Sequence, residues 1–229
     1  MIDLNKLENK IRIKIKNKYL FFEALTHKSY LYINPKHPYK DNERLEFLGD
    51  AIIEFIISHY LFVNFPNLSE GEMTLIRSAL VNREKLSIIA LDLDLDKFMF
   101  YNTRISEKGL KTVLSDGLEA LIAAIFLDNN LDTAYQFLIE KLKQEINDVV
   151  KKKLYKDPKS KLQEYCQEKY KILPEYDIIK TEGPEHQKKF FVGLYLEKKL
   201  ISVGEGSSKQ EAEIDAANKA LKKMKIKQN

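Results

Sequence analysis

Residues 42–54, with the sequence NERLEFLGDAIIE, decide how the first part of this chain is interpreted. Apolar residues recur at the spacing of one helix face from residue 45 to 62, which predicts a long helix. The stretch VLSDGLEALIAAIFLD, at residues 113–128, has the same period. Because glycine and proline are scarce before residue 150, we predict a mainly helical unit there.

The first of these helices carries a row of acidic residues. They are separated by 3, 4 and 4 positions and therefore share one helix face: Glu43, Glu46, Asp50 and Glu54. Like charges at this spacing destabilise a helix by about 0.2–0.5 kcal/mol per pair, so the row needs a counter-charge. A hard divalent cation such as Mg²⁺, which prefers oxygen ligands, is the natural one.

The second helix adds an acidic pair, Asp116 and Glu119, at positions i and i+3. Together with the acidic row, this pair predicts a metal site between two helices. Two other interpretations stay open. Asp116 and Glu119 also fit a helix N-cap with its reciprocal partner, and Glu54 also fits the solvent side of its helix.

Composition limits the class of protein. Hydrophobic residues make up 44% and charged residues 31% of the 229, which favours a folded core over disorder. The single cysteine, Cys166, excludes a disulfide framework and fits a packed core in a reducing compartment. The most apolar stretch, residues 51–63, is interrupted by Glu54 and His59 and is too short to span a membrane. We expect a soluble, cytoplasmic protein with no membrane partner.

Other catalytic motifs are absent from the sequence. The four histidines lack metal-ligand spacing, and neither an H-E-x-x-H motif nor a G-x-x-x-x-G-K-[ST] phosphate loop occurs. Gly204-x-Gly206 is half of a dinucleotide-binding motif and is better explained as a turn. No nucleotide cofactor is therefore expected.

Charge divides the chain near residue 150. Residues 1–150 hold 19 basic and 22 acidic side chains, whereas residues 151–229 hold 19 lysines and 12 acidic side chains, a net charge of +7. A basic unit favours a polyanionic partner, although such asymmetry also occurs without one. All five arginines lie in the first part, so the basic part has lysine but no arginine. A nucleic acid bound there would therefore be recognised by its shape and its phosphate backbone rather than by its base sequence.

The second unit has the predicted order αβββα. Its helices begin at Asp157-Pro158, an N-cap followed by proline, and at a capping box formed by Ser208 and Glu211. Three β-branched and aromatic runs between them predict strands, at residues 174–181, 188–196 and 199–206.

Three features of this unit fit contacts with double-stranded RNA. The start of the last helix, at Ser208 and Lys209, offers backbone N–H groups and a lysine to a phosphate. His186 lies in a turn that can enter a groove, and Gln163 on the first helix can meet ribose hydroxyls. The alternative is a generic α+β domain with solvated lysines.

These motifs resemble those of the ribonuclease III family. NERLEFLGDAIIE resembles the family signature, and ALTHKSY at residues 24–30 resembles its N-terminal helix motif. Residues 69–86 and 114–128 resemble the next two segments in the expected order, and residues 157–221 resemble the RNA-binding domain of bacterial members. The resemblance implies an all-α endonuclease domain at residues 1–150 and a basic linker at residues 151–156. It implies a small α+β (αβββα) double-stranded-RNA-binding domain at residues 157–229.

The resemblance also implies roles for individual residues. The metal-binding carboxylates of the family are matched by Glu46, Asp50, Asp116 and Glu119. Of these, Asp50 and Glu119 are the catalytic pair. Glu43 and Glu70 match accessory acids, and Phe47 matches an aromatic residue that inserts into the partner subunit of a homodimer. The RNA-contacting positions are matched by Gln163, His186, Ser208 and Lys209.

The implied function is that of a Mg²⁺-dependent endoribonuclease, active also with Mn²⁺, that cuts double-stranded RNA as a homodimer. Its products carry 5′-phosphate and 3′-hydroxyl ends with short 3′ overhangs, and its substrates are ribosomal RNA precursors and some messenger RNAs. The alternative is a catalytically silent, dimeric double-stranded-RNA-binding regulator, but all four metal ligands are present.

Three positions depart from the family pattern. Residues 101–116 lack its glycine-rich stretch, which predicts a shorter or differently shaped loop. Gly117 replaces a bulkier residue, which predicts a looser turn between the two acids. Gln210 replaces a lysine, which predicts weaker phosphate binding.

Overall fold

The structure is a computed structural model that describes residues 2–153, 155, 157–184 and 188–224. It divides into two compact units, residues 1–147 and 148–229. The predicted contact residue His186 lies outside the described residues.

The first unit is helical, as the periodicity predicted. Its elements are α1 (Leu4–Ile11), α2 (Lys18–Ala24), α3 (Lys28–Leu31), α4 (Glu43–Asn64), α5 (Glu70–Leu80), α6 (Arg83–Asp92), a 3₁₀ turn (Leu95–Lys97) and α7 (Glu107–Asp128). The next helix, α8 (Leu131–Lys151), leads into the second unit. Among the residues that the structure describes, no helix is long and apolar enough to cross a membrane.

The core of this unit is built around α7. Eleven residues of α7 are buried, including Leu118, Leu121 and Ile125. The helix packs against α4, α6 and α2, and α4 contributes fully buried side chains such as Ile56 and Leu61. A helix that is apolar around most of its circumference can be covered on several sides, which explains its central position.

The last residue of α7 holds the segment between α1 and α2. The Asp128 carboxylate accepts hydrogen bonds from the backbone N–H groups of Lys16 and Asn17, both at 2.8 Å. The Lys16 ammonium group donates to the backbone carbonyl of Asp128 at 3.3 Å. These hydrogen bonds therefore fix the N-terminal segment to the central helix.

The second unit consists of α9 (Pro158–Tyr170), β1 (Glu175–Glu182), β2 (Lys189–Leu196), β3 (Lys199–Gly206) and α10 (Lys209–Lys223). The strands form an antiparallel sheet in the order β1-β2-β3, which confirms the αβββα prediction. Asp157 caps α9 by accepting from the backbone N–H groups of Lys159 and Ser160. Cys166 is fully buried among residues such as Leu162 and Leu194, as its apolar surroundings predicted.

Two local predictions for this unit need correction. Gly204 and Gly206 lie in β3 rather than in a turn, and a Cβ at Gly204 would overlap the backbone of α10. The glycine is required because strand and helix pack in direct contact. The capping box at α10 is half formed: Ser208 accepts from the Glu211 N–H at 3.1 Å, but the Glu211 carboxylate accepts from Ser207.

Candidate functional site

Helices α4 and α7 approach each other at a glycine. A Cβ added to Gly49 would overlap the backbone carbonyl group of Glu119, so any larger residue would push the two helices apart. Gly49 directly precedes Asp50 and follows Glu46 by three positions. The close approach therefore places acidic residues of α4 against those of α7.

Carboxylates from both helices meet at this approach. One oxygen each from Glu46, Asp116 and Glu119 lie within 4.8 Å of one another. These three acids line a pocket with Asp50 and Glu43. We call it the carboxylate pocket, and its lining residues are Lys28, Glu43, Glu46, Phe47, Asp50, Asp116 and Glu119. Three of the four predicted metal ligands thus converge, and the fourth, Asp50, lines the same pocket together with Glu43, one of the two predicted accessory acids.

Burial and mutual repulsion perturb these acids. Burial, followed by the negative charges of Asp50, Asp116 and Glu46, raises the pKa of Glu119 to about 8. Burial also raises the pKa of Glu46 and of Asp116. A bound cation relieves repulsion of this kind, and the acidic ligands offer only carboxylate oxygens. This donor set fits a hard divalent ion such as Mg²⁺.

A lysine at the pocket was missed by the sequence reasoning. Lys28 Nζ donates to Glu43 Oε1 at 2.5 Å, and this hydrogen bond lowers the pKa of Glu43. The two residues lie 15 positions apart on different helices, so no helical period in the sequence connects them.

Two predicted acids lie away from the carboxylate pocket. Glu54 is exposed on α4 and does not line the pocket, so the solvent interpretation is correct for this residue. Glu70, the first residue of α5, lines a second pocket instead. We call it the apolar pocket, and its lining residues are Phe55, Ser58, His59, Phe62, Glu70, Met73, Thr74 and Arg77.

The second acidic motif differs from two expectations. Asp116 and Glu119 lie well inside α7, whose N-cap is Ser106, so the capping interpretation is wrong. The helix also continues through Gly117 without a looser turn. The Met99 side chain occupies the space where a Cβ would be, so a larger residue would not fit at this position. Only residues 101–106 of the segment that departs from the family pattern lie outside the helix.

In the second unit, the predicted RNA contacts that the structure describes lie on α9 and at the start of α10. Gln163 is exposed on α9, Ser208 is the N-cap of α10, and Lys209 is exposed in its first turn. Glu213 connects the two helices, since its carboxylate lies 2.6 Å from Lys159 Nζ and 3.8 Å from Lys209 Nζ. This acid and Lys159 were not predicted, because their pairing depends on how the helices pack.

Comparison with family models agrees with this architecture. Residues 17–146 match a model described as Ribonuclease-III-like, and residues 158–224 match the double-stranded RNA binding motif. The first match contains both acidic motifs, and the second contains the αβββα unit.

Individual relatives support the same relationship over almost the whole chain. A protein named Ribonuclease 3 from Pseudothermotoga lettingae is 40% identical, covering 97% of this chain and 99% of the relative. Ribonuclease 3 from Syntrophobacter fumaroxidans is 41% identical, covering 95% of this chain and 93% of the relative. The nuclease domain of ribonuclease III from Campylobacter jejuni, described as flexible in a region involved in dimer formation, is 35% identical with a TM-score of 0.55. It covers 62% of this chain and 97% of that one.

Proposed function

Because this chain belongs to the ribonuclease III family of endoribonucleases, we propose that it hydrolyses double-stranded RNA in a Mg²⁺-dependent reaction, with Mn²⁺ able to substitute. The observation that carries the proposal is the meeting of four carboxylates from α4 and α7 in one pocket. In-line attack by water on the phosphodiester would leave 5′-phosphate and 3′-hydroxyl ends. The RNA 2′-hydroxyl then serves in recognition rather than as the nucleophile.

The four carboxylates would hold the metal. Glu46 and Asp50 come from α4, and Asp116 and Glu119 come from α7, so residues of both helices would hold it. When bound, Mg²⁺ lowers the pKa of water and offsets negative charge on the phosphoryl oxygens. Glu119 must give up its proton to become a ligand, since its pKa of about 8 leaves it largely protonated at neutral pH without a cation.

The second unit would hold the RNA helix. Gln163 faces solvent on α9, and Ser208 and Lys209 lie at the start of α10, where backbone N–H groups favour phosphate. His186 completes the proposed contact set. We assign catalysis and dimerisation to residues 1–150, a linker to 151–156, and RNA binding to 157–229.

Dimerisation would use the outer face of α4. Phe47, Phe55 and Phe62 are 83%, 51% and 71% exposed, and they fall within about 80° of the helix circumference. Exposed aromatic side chains in one stripe are typical of an interface. Phe55 and Phe62 line the apolar pocket, which offers a receptor for the partner's Phe47.

This arrangement also gives Glu70 a place in the reaction. Phe47 lines the carboxylate pocket, whereas Glu70 lines the apolar pocket of the same chain. If the partner's Phe47 enters the apolar pocket, Glu70 approaches the carboxylate pocket of the partner rather than its own. The accessory role of Glu70 therefore depends on the homodimer. The homodimer would also place two carboxylate pockets on one RNA duplex, and cuts at both would leave short 3′ overhangs.

Substrates would be structured RNAs in the cytoplasm, with ribosomal RNA precursors first and some messenger RNAs second. The test uses end-labelled duplex RNA, with Mg²⁺ or with chelator, alongside single-stranded RNA and duplex DNA. We expect Mg²⁺-dependent cutting of the RNA duplex alone. Duplex binding without cutting at any Mg²⁺ concentration would refute the nuclease and favour the silent regulator.

Two matched variants test the site. Glu119→Gln removes a proposed ligand while keeping the side-chain size, and we expect duplex binding to persist while cleavage is lost. Glu54→Gln makes the same chemical change on an exposed residue outside the carboxylate pocket, and we expect it to cut normally. Cleavage by Glu119→Gln at the parent rate would remove Glu119 from the mechanism.

A further inference from the structure

The carboxylate pocket presents an electrostatic problem for the substrate. Five acidic side chains line it, and an RNA phosphate must approach them. A bound cation offsets part of this charge, but the phosphates beside the one that is cut also lie near negative charge. Among the described residues that line the pocket, Lys28 is the one that carries a positive charge.

The backbone around Lys28 is anchored on two sides. On one side, the Asn42 N–H donates to the Thr26 carbonyl at 2.9 Å, which ties the segment to the start of α4. On the other side, the His27 N–H donates to the Phe100 carbonyl at 2.9 Å. The Asn102 N–H also donates to the Ser29 hydroxyl at 3.1 Å. Lys28 therefore starts from a fixed position at the pocket, which lowers the entropy lost when it binds a ligand.

The side chain of Lys28 is placed to reach a ligand at the pocket entrance. Its ammonium group bonds to Glu43, and both side chains are about half exposed, at 49% and 51%. An ammonium group has three N–H donors, and the Glu43 bond uses one of them. The exposed pair lies beside the more buried acids Asp116 and Glu119, at the boundary between ligand oxygens and solvent.

We propose that Lys28 is a substrate-binding residue, whose ammonium group contacts a non-bridging phosphate oxygen of RNA at the entrance of the carboxylate pocket. The proposal rests on the proposed function, since it takes duplex RNA as the ligand of this pocket. Lys28 adds one phosphate contact from the nuclease unit to the contacts made by the second unit.

The test measures duplex RNA binding by the full-length chain carrying Glu119→Gln, with chelator present, so that neither cleavage nor metal contributes. Four further substitutions are compared in this background: Lys28→Met, Lys28→Arg, Glu43→Gln and Lys97→Met. Lys97 is the matched control, because it is an exposed lysine whose ammonium group lies 2.7 Å from one carboxylate, that of Asp94. Lys97 does not line the carboxylate pocket. Affinity is measured over a range of salt concentrations.

We expect Lys28→Met to weaken binding by about three- to tenfold and to reduce the slope of log affinity against log salt by roughly one. Lys28→Arg should keep the affinity of the parent, because it keeps the positive charge, and Lys97→Met should also bind with the parent's affinity. Glu43→Gln should bind as well as the parent or more tightly, because it removes a negative charge and frees the ammonium group.

Two results would overturn the proposal. The first is parent-like affinity and salt slope for Lys28→Met. The second is equal weakening by Lys28→Met and Glu43→Gln, because both break the same ion pair and equal losses indicate a purely structural role. Failure of the proposed function is a separate result, since it appears as absence of Mg²⁺-dependent cleavage by the unmodified chain.

Discussion

Replacement of Gly49 by alanine tests whether the approach of α4 and α7 creates the carboxylate pocket. The new methyl group would overlap the Glu119 carbonyl group by more than about 1 Å, given a normal contact distance of about 3.5 Å. The obstacle is backbone in the middle of a helix, so a side-chain rotation cannot relieve it. The helices must separate, and we expect a loss of about 1–3 kcal/mol in the free energy of unfolding.

The same separation should affect activity more than stability. Glu46 and Asp50 would move away from Asp116 and Glu119 by about 1 Å, and a displacement of that size in a catalytic group costs roughly a hundredfold in rate. Denaturant unfolding followed by circular dichroism measures the first effect. Cleavage of labelled duplex RNA at saturating Mg²⁺ measures the second.

Gly71→Ala is the matched control for Gly49→Ala. Gly71 also lies in a helix, but a Cβ at this position has no neighbour within 4 Å. Alanine there should leave stability unchanged or raise it by up to about 1 kcal/mol, because alanine is the better helix former. A Gly49→Ala protein that is as stable and as active as Gly71→Ala would refute the close-approach argument.

Three further changes have expected outcomes. Without metal, the raised pKa of Glu119 means that the unfolded chain binds fewer protons between about pH 4.5 and 8, so stability falls as pH rises through this range. Glu119→Gln should therefore be the more stable protein near pH 8 in thermal unfolding with chelator, with the difference vanishing near pH 5; a constant difference would contradict the pKa shift. Asp128→Ala removes the acceptor of two backbone N–H groups and should cost about 1–2 kcal/mol in denaturant unfolding, and parent-like stability would show that the N-terminal segment is held by other contacts. Phe47→Ala should weaken the dimer by two or more orders of magnitude in sedimentation equilibrium, since two copies each contribute about 2 kcal/mol. The exposed Leu91→Ala on α6 is its control, and equal dimerisation by both variants would rule out Phe47 as an anchor.

The helices and strands were predictable because their signals are local. The apolar periods of α4 and α7 appear within one stretch of chain, and so does the N-cap at Asp157 with Pro158 after it. The acidic residues were identified in the same way, because spacing along one helix determines which side chains share a face. Residue types and their spacing therefore indicated a divalent-metal site before any tertiary contact was known.

Some errors arose where a long-range contact decides the local structure. The turn interpretation of Gly204-x-Gly206 is wrong, because both glycines lie in β3, within the strand predicted at residues 199–206. The backbone of α10 leaves no room for a side chain at Gly204, which explains the glycine there. Gly117 was predicted to loosen α7, but the Met99 side chain fills the missing volume. In both cases the partner is distant in the sequence, and local propensity carries no information about it.

The sequence by itself determined the fold class, the two acidic motifs and the basic character of the second unit. Tertiary structure alone decided which acids meet: Glu46, Asp116 and Glu119 converge, Glu54 remains in solvent, and Glu70 lines another pocket. It also placed Lys28 beside Glu43. The physical reason is that a helical period determines only the directions in which side chains point around one helix axis. The distance between two helices depends on the side chains packed between them. At Gly49 the missing side chain allows α4 and α7 to approach each other closely.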